Sequence, residues 1–138
     1  MRDEEYVIDL CDEVLGLKSE RQHHFNFLRG DRCRDGSIGH RLPVDAYYKN
    51  LKLVIEYHER QHTEAVPFMD KLYTVSGVSR EQQRKIYDER RRKILPVNGI
   101  KLEVINVGEL SCKPNKRLRR DREHDLEVIR QKLAQYLD

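Results

Sequence analysis

A strand-like run of apolar residues leads directly into side chains that can do chemistry. In the segment LKLVIEYHERQH, residues 51–62, apolar and polar residues alternate at first, which is typical of a strand in a sheet. The polar residues that follow are two acids, two imidazoles and an amide, namely Glu56, His58, Glu59, Gln61 and His62. Such side chains cost desolvation free energy at the end of a sheet unless a partner pairs with them, and a metal ion or a phosphate would be such a partner.

A second acid is predicted to lie opposite the first. The segment 40–48 is also strand-like, and the two-residue turn after it predicts an antiparallel hairpin. Pairing across that turn brings Asp45 close to residues 54–56, so two carboxylates meet at one end of a small sheet. They repel each other unless a cation lies between them, and oxygen ligands of this kind suit Mg²⁺ or Mn²⁺. Because side chains alternate along a strand, His58 is expected on the same face as Glu56.

The remaining elements must position these side chains, and the sequence predicts the order α-β-β-β-α-β-α. Helices are expected over 4–16, 79–95 and 121–137, and strands over 21–28, 40–48, 51–58 and 100–107. Loops are expected over 29–39 and 63–78, and a basic linker over 113–121. A capping box of Ser79 and Gln82 begins the second helix, and Pro96 with Gly99 is expected to end it.

Apolar residues at helical spacing predict which side chains face the core. In the helix at 79–95 they are Ile86 and Ile94. In the last helix they are Leu126, Ile129, Leu133, Tyr136 and Leu137.

Composition limits the class of protein. A length of 138 residues suits a single domain spanning 1–138, and a hydrophobic content of 38% supplies one modest core. The net charge of +3 permits a nucleic-acid partner without requiring one. No apolar run approaches the roughly 20 residues needed to cross a membrane, and no signal-peptide pattern is present. Cys11, Cys33 and Cys112 form no CxxC pair, which argues against a disulfide scaffold or zinc knuckle and favours the reducing cytoplasm.

Two motifs resemble the signature of the PD-(D/E)xK nuclease superfamily. That signature places an acid on the second core strand of an α-β-β-β-α-β fold, and an acid, any residue and a lysine on the third. The matching segments here are Pro43-Val44-Asp45 and Glu56-Tyr57-His58, with histidine in place of lysine and Val44 between proline and aspartate. The resemblance covers roughly residues 4–107, and the helix at 121–137 would follow this core.

Within the superfamily, the chain is most similar to small single-domain proteins related to the very-short-patch repair endonuclease. Those proteins carry an apolar strand that ends in Ile-Glu-x-Asp-Gly-x-Gln-His, and this chain retains Ile55-Glu56, Gln61 and His62 at that spacing. Their Asp-x-x-Arg helix, followed by glycine and a strand, is matched through Asp88, Arg91 and Gly99. Gln83 and Tyr87 also match a Gln-x-x-x-Tyr helix motif of other branches.

The resemblance implies a metal-dependent endonuclease that hydrolyses DNA. Mg²⁺ or Mn²⁺ would be held by Asp45, Glu56 and the Tyr57 carbonyl, and His58 would hold or deprotonate the attacking water. Gln61 and His62 would join the site. A carboxylate from the first helix, Glu5 or Glu13, would complete it as in many relatives.

DNA would be contacted by the second helix and the basic linker. The expected contacts are Gln83, Tyr87, Arg91, Arg117, Arg119 and Arg120, supported by the run Arg90-Arg91-Arg92-Lys93 and by Lys116. Specificity would need a homodimer or a partner protein. Two alternatives remain open: a catalytically inactive module on the same fold that binds nucleic acid or protein, and an α/β interaction protein whose charges are only surface.

Overall fold

The structure is a computed structural model that describes residues 1–59 and 79–137. The predicted site residues Gln61 and His62 and the predicted loop over 63–78 therefore lie outside the described residues. The described elements are α1 (Asp3–Leu15), β1 (Glu20–Arg29), β2 (Arg41–Tyr48), β3 (Leu53–His58), α2 (Arg80–Val97), β4 (Lys101–Asn106) and α3 (Arg122–Lys132). None of the helices in these ranges is long and apolar enough to cross a membrane.

The four strands form one mixed sheet in the order β1-β2-β3-β4. The pairs β1–β2 and β2–β3 are antiparallel, and β3–β4 is parallel. The predicted α/β class and mixed sheet are therefore confirmed. The predicted hairpin is present, with Ala46 opposite Ile55 and a short 3₁₀ turn, Lys49–Leu51, between the strands.

Helices cover both faces of the sheet. Helices α1 and α3 pack against each other on one face, over a core that contains Val7, Ile8 and Ile129. Helix α2 packs on the other face through Leu95, with β1 and β4 beneath it. Strand β3 is central, and Val54 on its predicted polar side is fully buried because the second face is also covered.

Helix ends follow their local signals except at one proline. Gly16 ends α1 with a left-handed φ of 66°, as expected. The Ser79 hydroxyl accepts from the Gln82 amide at 3.2 Å, and the Gln82 side chain accepts from the Ser79 amide at 3.3 Å, so the capping box is present. The prediction that Pro96 ends α2 is wrong, because the helix continues to Val97. A proline in the last turn removes only one helical hydrogen bond there.

Two predicted core residues are instead exposed. Ile86 is 39% exposed, because the face of α2 that meets the sheet passes through Tyr87, Ile94 and Leu95. Leu137 is 37% exposed, because α3 ends at Lys132 and a 3₁₀ turn follows, which changes the helical spacing.

Strand β2 changes the face that it buries at one residue. Leu42 and Val44 belong to the core under α2, whereas Ala46 and Tyr48 belong to the core under α1 and α3. Residues two apart in a regular strand share a face, so the alternation is interrupted at Asp45. The β2–β3 ladder also stops beside it, since the registered pairs run only from Ala46 to Tyr48.

Candidate functional site

Asp45 and Glu56 lie opposite each other where β2 and β3 stop pairing. The Asp45 amide donates to Glu56 Oε2 at 2.6 Å, and the Tyr57 amide donates to Asp45 Oδ2 at 2.8 Å. Each carboxylate therefore satisfies a backbone N–H of the other strand at a point where the regular ladder is missing. The predicted proximity of residue 45 to residues 54–56 is confirmed by the register.

Burial makes this acid pair electrostatically unfavourable when both groups are ionised. Glu56 is only 5% exposed; burial, followed by repulsion from Asp45, raises the pKa of Glu56 to about 8. Burial also raises the pKa of Asp45 to about 6, although the hydrogen bond from the Tyr57 amide stabilises the ionised carboxylate and lowers that pKa. Near neutral pH the pair therefore favours a bound proton or a nearby cation.

Arg91 supplies one such positive charge from α2. Its Nε lies 3.5 Å from Glu56 Oε1, and its Nη1 donates to Asp88 Oδ1 at 3.1 Å. Its Nη2 donates to the Pro43 carbonyl of β2 at 3.1 Å. The Arg91 guanidinium is thus engaged with protein groups beside the acid pair, and its contact with DNA stays a prediction.

A third carboxylate joins the site, and the sequence did not identify it correctly. Gln22 Nε2 donates to Glu4 Oε2 at 2.8 Å and lies 3.5 Å from Asp45 Oδ1, and Glu4 also raises the pKa of Asp45. The predicted candidates from this helix are occupied elsewhere, Glu5 with Arg2 and Glu13 with Arg122. Helical periodicity cannot select among neighbouring acids in a first turn. The link depends on Gln22, whose positive φ of 52° no sequence signal predicts.

A small cleft lies beside Glu56 on the α2 face of the sheet. Its walls include His58, Asp88, Arg91 and Val104. The structure therefore brings His58 to the same cleft as Glu56, as strand alternation predicts. The Tyr57 side chain belongs to the opposite core, and its buried hydroxyl has no hydrogen-bond partner among the described residues.

Gln83 and Tyr87 lie near the loop after β1. The Tyr87 hydroxyl accepts from the Asp31 amide at 3.0 Å and from Gln83 Nε2 at 3.3 Å. A Cβ on Gly30 would lie 2.8 Å from the same hydroxyl, so only glycine permits this close approach. The structure thus gives these two residues an anchoring contact with that loop, at the base of the β1–β2 hairpin.

The donor set fits a divalent cation in its chemistry. In residues 1–59 and 79–137, no group of three or more His, Cys, Asp or Glu side chains is arranged as a metal site. Mg²⁺, however, usually binds through one or two carboxylates and keeps several waters or substrate oxygens. Glu56 is buried and Asp45 is partly buried, their carboxylates repel each other, and each has one oxygen that takes no backbone N–H.

Most of the predicted basic band is neutralised within the protein. Arg90 pairs with Asp31, Arg92 and Lys93 both pair with Glu89, and Arg120 pairs with Asp3. Arg117 and Arg119 are exposed and have no acidic partner in the described part of the chain. Among the predicted contacts, these two remain the cations best placed to meet an external anion.

In comparisons with known proteins, no family model matches this chain, and neither a curated protein nor a solved structure matches it significantly. The resemblance to the nuclease superfamily therefore rests on the motifs of the sequence.

Proposed function

We propose that this protein is a metal-dependent endonuclease that hydrolyses DNA phosphodiester bonds on a restriction endonuclease-like core. The observation that carries the proposal is the pair formed by the partly buried Asp45 and the buried Glu56 at the point where β2 and β3 separate. Structural acids are rarely buried beside each other, because each destabilises the ionised form of the other. In a cation-binding site the same arrangement is favourable, because the bound cation attracts both carboxylates.

The order of the elements also supports the proposal. An α-β-β-β-α-β succession with a mixed sheet is the arrangement that the superfamily's signature requires. The acids occupy the second and third strands, as that signature specifies. Helix α3 and the segment before it are additions to this core.

Mg²⁺ or Mn²⁺ would be held by Asp45, Glu56 and the Tyr57 carbonyl. When bound there, the ion would polarise the scissile phosphate and lower the pKa of an attacking water. Glu4 and Gln22 position the Asp45 carboxylate from the α1 side. Arg91 holds Glu56 from the α2 side and offsets part of its charge.

His58 is the residue that we assign to take the water's proton. It faces the cleft beside Glu56, and a neutral imidazole nitrogen accepts a proton near neutral pH. The water oxygen would form a new bond to phosphorus while its proton passes to His58, and the ester P–O bond would break with the leaving oxygen taking a proton from solvent. His58 thus fills the position at which the superfamily's lysine stands, with activity limited to a pH at which the ring is neutral.

A second candidate is a nucleic-acid-binding module on the same fold without catalysis. The observation that favours it is Arg91, whose guanidinium already lies 3.5 Å from Glu56 and supplies a positive charge. Calorimetric titration with Mg²⁺ or Mn²⁺ separates the two candidates. The nuclease requires saturable binding that Glu56→Gln removes, and the inactive module requires none.

Plasmid nicking in Mn²⁺ tests the nuclease directly. Glu56→Gln should abolish both nicking and the metal-induced rise in melting temperature. His58→Ala should retain the metal response but slow nicking about 100-fold, whereas His58→Lys should keep or raise activity at alkaline pH. Glu127→Gln, an exposed acid on α3, is the matched control. Nicking by Glu56→Gln at the wild-type rate would remove the proposal.

A further inference from the structure

Two connecting segments carry exposed cations that have no acidic partner among the described residues. The basic run of α2 is paired with acids of the protein, as described above. The segment 111–119, here called the basic hairpin, exposes four cations with no acidic partner among the described residues: Lys113, Lys116, Arg117 and Arg119. The segment 30–40, here called the basic loop, exposes Arg32 and Arg34, which likewise lack an acidic partner within the described ranges. It also contains two acids, of which Asp31 pairs with Arg90 and Asp35 accepts hydrogen bonds from Ser37.

The basic hairpin has a fixed backbone. Cys112 pairs with Leu118 in an antiparallel bridge, and the Lys113 amide donates to the Arg117 carbonyl at 2.8 Å. The side chain of Leu118 is buried in the core. A tip held in this way presents its cations with little loss of backbone freedom on binding.

A buried carboxylate anchors the base of the hairpin to α3. The Ser111 amide donates to Asp125 Oδ1 at 2.8 Å, and the Ser111 hydroxyl donates to Asp125 Oδ2 at 3.0 Å. Asp125 is completely buried. The hairpin is therefore tied to the core and is not a free basic tail.

Both basic segments lie at the end of the sheet that carries the acid pair. Strand β4 is parallel to β3, so the chain leaves β4 toward the basic hairpin at the His58 end. Strand β2 is antiparallel to β3, so the basic loop that precedes β2 lies at that end as well. At the base of the hairpin, Arg120 donates a hydrogen bond to Asp3 of α1. Both residues lie close to Tyr57 of β3: burial raises the pKa of Tyr57, Asp3 raises it further, and Arg120 lowers it.

The strand order places the acid pair between the two basic segments. The basic loop joins β1 to β2, the acids lie on β2 and β3, and the basic hairpin follows β4. The hairpin is held on the side of α1 and α3 through Asp125 and Asp3, and the loop on the side of α2 through Tyr87 and Arg90, so the two segments flank this end of the sheet from opposite faces.

We propose that the basic hairpin and the basic loop form a two-sided clamp that binds the phosphate backbones of double-stranded DNA across this end of the sheet. The position of the clamp rests on the proposed function, since it would hold a duplex over the acid pair. Its binding energy comes from phosphate contacts and needs neither a metal ion nor cleavage.

Fluorescence anisotropy of a labelled 20-base-pair duplex in EDTA tests the clamp. Lys116→Gln with Arg117→Gln, and separately Arg32→Gln with Arg34→Gln, should each weaken binding on the order of 10-fold near 100 mM salt. Each pair should also reduce the slope of log K against log salt by about 1.8, as expected for two lost phosphate contacts. The charge-matched control, Lys85→Gln with Lys93→Gln on α2, should change affinity less than about 2-fold, because both lysines pair with glutamates.

Three results would overturn the clamp: no binding of the wild type to the duplex, an equal loss in the α2 control, or tighter binding to phosphatidylserine vesicles than to DNA at the same salt. The clamp proposal and the nuclease proposal can be contradicted independently. Duplex binding in EDTA without nicking in Mn²⁺ contradicts only the nuclease, and nicking that survives both charge-removal pairs contradicts only the clamp. Circular dichroism of each variant confirms that its fold is intact.

Discussion

Two buried carboxylates of this protein have opposite surroundings. Asp125 on α3 accepts three hydrogen bonds, from the Tyr6 hydroxyl at 2.7 Å and from the amide and hydroxyl of Ser111. Glu56 on β3 accepts one, from the Asp45 amide, and faces a second carboxylate and an arginine at 3.5 Å. Both side chains are almost inaccessible to water.

The comparison distinguishes a carboxylate that is buried for stability from one that is buried for function. Three donors on a single buried anion replace the water that it loses, and Asp125 thereby joins α1, α3 and the basic hairpin. Glu56 is left with electrostatic repulsion that its own fold does not remove, which is expected where a ligand supplies the missing positive charge. The variants below test whether this contrast holds.

The largest effect is expected at Asp125. Asp125→Ala should lower the free energy of unfolding by about 3–5 kcal/mol, because it leaves the Tyr6 hydroxyl and the Ser111 amide buried without an acceptor. Glu123→Ala, an exposed acid in the first turn of the same helix, should cost less than about 0.5 kcal/mol. Urea denaturation at pH 7 measures both, and equal costs would remove the contrast.

Glu56 should make stability fall as pH rises. A carboxyl whose folded pKa is raised binds its proton more tightly in the folded state. Its stabilisation is therefore complete below the unfolded pKa of about 4.3 and is lost as pH passes through the folded value. With a folded pKa of about 8, we expect a loss of roughly 3–4 kcal/mol between pH 5 and pH 8. Glu56→Gln should flatten this dependence in urea titrations, and an equally steep profile in the variant would place the titrating group elsewhere.

Arg91 should matter more at high pH than at low pH. Arg91→Gln removes the positive charge that lowers the pKa of Glu56, so it should cost about 1–2 kcal/mol at pH 8 and clearly less at pH 5, where Glu56 is protonated. Arg92→Gln, whose partner Glu89 is exposed, should cost little at either pH. If the cost of Arg91→Gln is independent of pH, its role is limited to the bonds with Pro43 and Asp88.

The smallest effect is expected at Tyr6. Tyr6→Phe removes one of the three donors to Asp125 and should cost about 1 kcal/mol without changing DNA nicking. Differential scanning calorimetry and the nicking assay measure the two quantities. A loss of nicking would connect Asp125 to the acid pair and weaken the distinction between the two sites.

Local signals in the sequence predicted much of the fold. Ser79 with Gln82 and Gly16 mark helix ends through nearby residues, and a short turn sets the β2–β3 hairpin, although it spans residues 49–52 and not the two residues predicted. The opposition of Asp45 and Glu56 followed from that hairpin alone. These features need no knowledge of distant parts of the chain.

The unpredicted features depend on distant partners. Arg90 forms an ion pair with Asp31, which is 59 residues away in the sequence. Its position in a run of four cations therefore could not show whether its charge is free to bind a ligand. Arg91 approaches Glu56 only because α2 packs across the sheet. Glu4 approaches Asp45 only because α1 packs beside β1 and β2, where Gln22 bonds Glu4 and lies 3.5 Å from Asp45. The sequence identifies the charged residues, whereas tertiary packing determines which of them remain unpaired.

The bond between Tyr6 and Asp125 closes a loop of 119 residues, and it has a consequence for the order of folding. During synthesis from the N-terminus, α1 emerges early, and its apolar side, including Val7 and Cys11, has no cover from α3 until more than 100 further residues are made. The sheet and α2 can assemble before then, because β1, β2 and β3 follow one another along the chain. We therefore expect the packing between α1 and α3 to form last, and a nascent chain that lacks α3 to expose part of this apolar side to chaperones.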